Sequence, residues 1–136
     1  MAKKFSTKIK SFTAKTRTRN NAVFKQSVQE VAAVANEPVS QGGRMRVDTG
    51  FLRNSQVVGL NSSPSGPSNK DRDSMGNPED VLLTIAQATV YDVVYIGWSA
   101  SYARFREYKD GFVEGAVKKW PSIVSKNTRR AKREIR

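Results

Sequence analysis

Four carboxylates come closest to a site for acid–base chemistry: Asp71 with Asp73, and Glu79 with Asp80. A carboxylate pair works as acid and base only in a buried, shaped setting that drives the two pKa values apart. These four lie in residues 61–80, NSSPSGPSNKDRDSMGNPED, a run of turn-forming and charged residues in which water keeps carboxyls ordinary. The stretch GGRMRVDTG at 42–50 has glycines of the kind that cradle phosphate. It lacks the lysine-serine ending of a phosphate-binding loop and does not join a strand to a helix. The chain contains no cysteine and no histidine, which excludes disulfides, thiolate metal sites and imidazole bases. The residues therefore predict no enzyme, no cofactor and no metal centre.

Charge is the stronger signal. The formal net charge is +12. Residues 1–25 hold Lys3, Lys4, Lys8, Lys10, Lys15, Arg17, Arg19 and Lys25 with no acid. Residues 118–136 hold Lys118, Lys119, Lys126, Arg129, Arg130, Lys132, Arg133 and Arg136 against Glu134 alone, and the segment between is close to neutral. Two basic ends on a balanced middle suggest contact with a polyanion, or else solvated tails that aid solubility. Lys3, Lys4, Lys8, Lys10, Arg129, Arg130, Lys132 and Arg133 are the candidates to face DNA, through contacts that would be sequence-blind and salt-dependent. The heptapeptide YARFREY at 102–108 interleaves aromatics with arginines, a pattern that can stack on single-stranded nucleic acid. The three-residue spacing of Tyr102, Phe105 and Tyr108 favours the other reading, an amphipathic helix with its aromatics in the core.

The elements that position these residues follow from periodicity. The chain has 136 residues, one domain's worth, and its 38% hydrophobic content allows only a modest core that oligomerisation would help. Residues 1–20 read as a polar, basic segment of partly disordered composition, or as an earlier start of the following helix near Thr7. In NNAVFKQSVQEVAAVANEP, the residues Val23, Phe24, Ser27, Val28, Val31, Ala32 and Ala35 make one helical face, with Asn20 or Asn21 as cap and Pro38 closing the end. FLRNSQVVGLN reads as a half-turn followed by a strand, and VLLTIAQATV and DVVYIGWS read as strands. SYARFREYKDG suits a short helix. FVEGAVKKWPSIVSKNTRRAKREIR reads as a helix that Pro121 either kinks or restarts. The expected fold class is α+β, a small antiparallel sheet packed against an N-terminal helix and C-terminal helices, with a long polar loop. One domain is expected at 21–127, flanked by the basic segment 1–20 and a basic helix end at 128–136. No apolar run approaches the roughly 20 residues that span a bilayer, so no membrane partner is expected. MAKKFSTKIK lacks the apolar core of a signal peptide.

Three stretches resemble one family. DTGFLRNS resembles the T-G-x-L-R-x-S turn of the minor neck and tail-completion proteins of long-tailed bacteriophages. VVYIGWSASYARFREY resembles that family's later strand and the Tyr-Ala motif leading to a glutamate, here Glu107. GFVEGAVKKWPSIV resembles its C-terminal helix. The family usually places a glycine soon after the glutamate, whereas EYKDG delays it to Gly111. The resemblance covers most of residues 22–126. It implies a structural virion protein, forming a sixfold or twelvefold ring in the neck or at the head-proximal end of the tail. Its partners would be further copies of itself, other neck, connector and tail proteins, and phage DNA in the lumen. It would be found in the virion, and in host cytoplasm during assembly. The assembly-interface candidates are Asp48, Thr49, Gly50, Leu52, Arg53, Arg104, Arg106 and Glu107. Asp48 and Thr49 can hydrogen-bond the turn's own backbone, and Gly50 permits a positive φ. Leu52 would then point to the core and Arg53 outward, either to a neighbouring subunit or to anchor the helix-to-strand connection. The alternative to the whole reading is a small sequence-nonspecific nucleic-acid-binding module that uses its basic ends.

Overall fold

The computed structural model describes residues 2–48, 50–65 and 78–135, with side chains from residue 6 onward except that of Pro78. Its elements are α1 (Ala2–Ala35), α2 (Phe51–Asn54), β1 (Gln56–Leu60), α3 (Pro78–Ala86), β2 (Val94–Trp98), α4 (Ala103–Asp110), α5 (Phe112–Lys118) and α6 (Trp120–Glu134). The fold is α+β. The two strands pair antiparallel from Gln56 opposite Trp98 to Leu60 opposite Val94.

Helix α1 begins far earlier than its apolar face requires. Residues 1–37 contain neither glycine nor proline, and lysine, arginine and alanine are good helix formers, so the helix nucleated on the packed half propagates outward. Neither Asn20 nor Asn21 caps it. Instead the Asn21 side-chain oxygen accepts the Val90 amide at 3.0 Å, pinning the loop after α3 to α1. The helix ends where expected. Past Ala35 the chain turns, Val39 N donates to Met45 O, and Met45 is carried into the core.

The segment VLLTIAQATV is not a strand. Pro78, Glu79 and Asp80 start α3, with proline in the first turn and acids near the helix's positive end. Val81, Ile85 and Ala88 are buried at helical spacing, while Leu82, Leu83, Ala86 and Gln87 face out. Pro121 restarts the chain rather than kinking it: α5 stops at Lys118 and α6 begins at Trp120 with proline in its first turn.

The core has two clusters. Val28, Val81 and Ile85 bury against Phe24, Val58, Val94, Ile96 and Trp120, clamping α1, α3 and the sheet together. Met45, Phe51, Leu52, Ala100 and Phe112 bury against Trp98, Tyr102, Ala103 and Val113. The Trp98 and Phe112 rings meet edge to face at 5.0 Å, a favoured aromatic geometry.

Candidate assembly interface

The turn residues build a joint around Asn36. Gly50 sits at φ 82°, a left-handed conformation that admits glycine at least cost, and its carbonyl accepts Asn54 N at 3.0 Å to open α2. Phe51 and Leu52 enter the core. Arg53 Nε donates to the Asn36 carbonyl at 3.1 Å, and Asn36 Nδ2 donates back to the Arg53 carbonyl at 3.1 Å. Trp98 Nε1 donates to Asn36 Oδ1 at 2.7 Å. One asparagine thus ties the end of α1 to α2 and β2. Arg53 places its charge where the α1 dipole is negative and the last carbonyls lack partners. Gln56 Nε2 adds a bond to the Ala32 carbonyl at 3.0 Å. Asp48 is exposed beside this joint, and Thr49 lies outside the described residues. The turn leads into α2, and the strand starts one residue after it ends.

Glu107 has a folding role as well. Its two carboxylate oxygens accept Val113 N at 2.7 Å and Glu114 N at 3.0 Å, capping the start of α5 from the preceding helix. Gly111, left-handed at φ 65°, makes the sharp corner between α4 and α5 that brings the carboxylate to these amides. Arg106 is held by Asp110, with Nη2 to Oδ2 at 2.6 Å. Ala103, Arg106, Glu107 and Asp110 therefore form the inward side of α4. Its aromatics do not enter the core as the spacing suggested: Phe105 is 57% exposed and Tyr108 83% exposed, and only Tyr102, at the N-cap, packs inward on Phe51. The carboxylate cap and the Arg106–Asp110 pair fix which side of the stripe faces the protein. Lys109 Nζ lies 5.8 Å from the Phe105 ring centre and 5.7 Å from that of Tyr108, and Arg104 is exposed beside them.

The two basic ends come together at one pole. Lys126 pairs with Glu30 at 2.8 Å and Asn127 Nδ2 donates to Ser27 Oγ at 3.2 Å, so α6 runs antiparallel to α1. The end of α6 reaches the level of Ala22 and Val23, and α1 continues beyond it. Every described side chain from residue 6 to residue 15 is exposed, including Lys8, Lys10, Ile9 and Phe12. Arg129, Arg130, Lys132 and Arg133 are exposed on α6, with Arg130 3.9 Å from Glu134. The side chains of Lys3 and Lys4 lie outside the description. Between the two helices is a mostly apolar trough of about 520 Å³, with Phe24, Trp120 and Val124 on its walls and Arg19 and Lys132 on its rim.

Two carboxylates are tuned. Burial by itself would raise Glu30. Hydrogen bonds from Lys126 and Gln26, with the Lys126 charge, outweigh it and hold the carboxyl below its ordinary 4.5. Asp92 is lowered by the Thr89 amide and then by Asn61. It anchors a clamp in which Asn61, itself at φ 62°, exchanges hydrogen bonds with Val93. Among the described residues no group of three acids is placed to hold a metal ion, and no helix is long and apolar enough to cross a membrane.

Sequence reasoning missed Asn36, Gln56 and Arg19. Asn36 had a faint signal, a polar residue between the last helical alanine and Pro38. Arg19 had a clearer one, standing in the spacing Phe12, Thr16, Arg19, Val23 that marks one helical stripe. Comparisons with protein-family models, with curated proteins and with solved structures find no match to this chain.

Proposed function

We propose that this chain is a structural protein of a tailed-phage virion, forming a ring in the neck or at the head-proximal end of the tail around the DNA channel. One observation carries the reading. The first of the stretches that resemble neck and tail-completion proteins lies some forty residues before the other two, yet all three contribute to one cluster: Phe51 and Leu52 from the first, Trp98, Ala100 and Tyr102 from the second, Phe112 and Val113 from the third. Packing of residues from all three stretches in one cluster supports reading them as one unit. The remainder of the molecule suits an assembly subunit. It exposes paired large apolar side chains on α1 (Ile9 and Phe12), α3 (Leu82 and Leu83) and α4 (Phe105 and Tyr108), which are available to neighbouring subunits. Its basic ends share one pole, where an array of subunits would present a ring of positive charge to DNA phosphates or to acidic neighbouring rings. Its partners on this reading are further copies of itself, adjoining neck, connector and tail proteins, and DNA bound without regard to sequence.

Deleting the gene from its phage tests this. Filled heads and separate tails that fail to join, with joining restored from a plasmid copy, are the expected result. Infectious tailed particles formed without the gene would overturn it. The outward Phe105 and Tyr108 beside Lys109 favour a second reading, a nucleic-acid module that stacks bases. Such a module holds free DNA at moderate salt with an affinity that falls steeply as salt rises, whereas a ring subunit binds free DNA poorly.

A further inference from the structure

Two exposed faces of this chain are opposite in charge and alike in being apolar. On α1, residues 6–29 carry Lys8, Lys10, Lys15, Arg17, Arg19 and Lys25 and no acid. Ile9 and Phe12, the latter 67% exposed, form a stripe that runs directly into the trough between α1 and α6. Arg19 Nε is buried there with no hydrogen-bond partner among the described residues. A buried guanidinium N–H without an acceptor is costly, so the trough is incomplete in the isolated chain. The opposite face belongs to α3. Residues 78–103 carry Glu79, Asp80 and Asp92 and no base. On α3 itself Leu82 is 54% and Leu83 62% exposed, one turn beyond the two acids.

We infer that the trough of one copy receives α3 of a second copy, with Leu82 and Leu83 against its apolar walls and the acids of α3 against Arg19 and Lys132. This deepens the ring reading and rests on it for the head-to-tail sense of the contact. The dimensions agree: the nine residues of α3 span about 14 Å, and the trough follows α1 from Phe12 to Phe24 for about 18 Å. The two faces share no residue. Used head to tail, with each copy's trough taking α3 of the next, the contact is heterologous, and it closes a ring when the rotation between copies divides the full circle. The basic arm of a second copy is a poor occupant, because it would set like charges on Arg19 and Lys132. DNA is a poor occupant too, because the walls are apolar.

Sedimentation velocity of the purified full-length chain over a range of concentrations tests the pairing. The parent should self-associate. Leu83→Glu, Arg19→Glu and Asp80→Arg should each weaken association about tenfold or more while circular dichroism shows unchanged helix content. Combining Arg19→Glu with Asp80→Arg should recover most of the loss, because the charges are exchanged rather than removed. A parent that stays monomeric at every concentration, single variants that associate like the parent, or a double variant no better than the singles would each overturn the pairing. Failure here is separable from failure of the ring reading. Rings that form regardless of these substitutions remove the α3 contact and leave the ring, whereas joined, infectious particles made without the gene remove the ring and leave the contact to the sedimentation result.

Discussion

The Asn36 joint and the arm-and-trough pole use similar residues to opposite ends. At the joint, arginine, asparagine and tryptophan exchange hydrogen bonds within the chain, and the aromatic rings beside them are covered. At the pole, arginine and lysine stand beside Phe12 and Trp120, yet Arg19 Nε has no partner among the described residues and Phe12 faces water. Buried polar groups in a finished structure are nearly always satisfied. The joint is thus complete in one copy, whereas on the proposed pairing the pole is completed by a second copy. Substitutions at the joint should therefore lower monomer stability, and substitutions at the pole should lower assembly alone.

The largest expected break is Trp98→Ala, which removes the edge-to-face contact with Phe112 and the bond to Asn36. It should cost about 3–5 kcal/mol of unfolding free energy, read by urea denaturation, enough to unfold much of so small a domain. Glu107→Ala comes next. It strips the first turn of α5 of its two side-chain acceptors and should cost about 1–2 kcal/mol on the same measurement, with Glu107→Gln costing less. Arg53→Ala removes one charged donor from the end of α1 and should cost about 1 kcal/mol with the monomer still folded. A normal yield of joined particles with that variant would mark Arg53 as an internal anchor only.

These expectations show how far the joint could be read from the residues. Gly50, followed by an apolar pair and then arginine, announces a left-handed turn feeding the core. The partner of Arg53 was not legible, because a carbonyl at a helix end has no sequence signature. The same holds for Glu107, whose carboxylate accepts from backbone amides across a glycine corner. VLLTI failed as a strand because a short apolar run fits a buried strand and a helix equally, and the deciding Pro-Glu-Asp start was read as loop. YARFREY failed differently: the spacing gave the stripe correctly, but only tertiary contacts decide which side of a stripe faces inward. The basic pole was half legible. Composition named its two ends, and the antiparallel packing that joins them appears only in three dimensions.

The smaller effects sharpen the contrast. Glu30 titrates below its ordinary 4.5 in the folded chain, so its contribution is present above that pH and is lost as the pH falls through its folded value. Thermal stability should thus decline below about pH 4.5, and Lys126→Met, worth under about 1 kcal/mol, should shrink that decline. Removing residues 2–15 should change unfolding free energy least of all, by about 0.5 kcal/mol or less, because their described side chains are exposed. In hydrogen exchange, amides 6–16 should exchange fast in the monomer and become protected on assembly, since a helix without a covered face is marginal in water.

A ring subunit of a phage neck or tail, as proposed for this chain, must be present in the finished particle, and its copies can be counted there. Quantitative mass spectrometry of purified virions from cells that carry this gene should find about six or twelve copies per particle, the ring size the family resemblance implies, in a closed cyclic assembly. Absence of the protein from the particle would contradict the account.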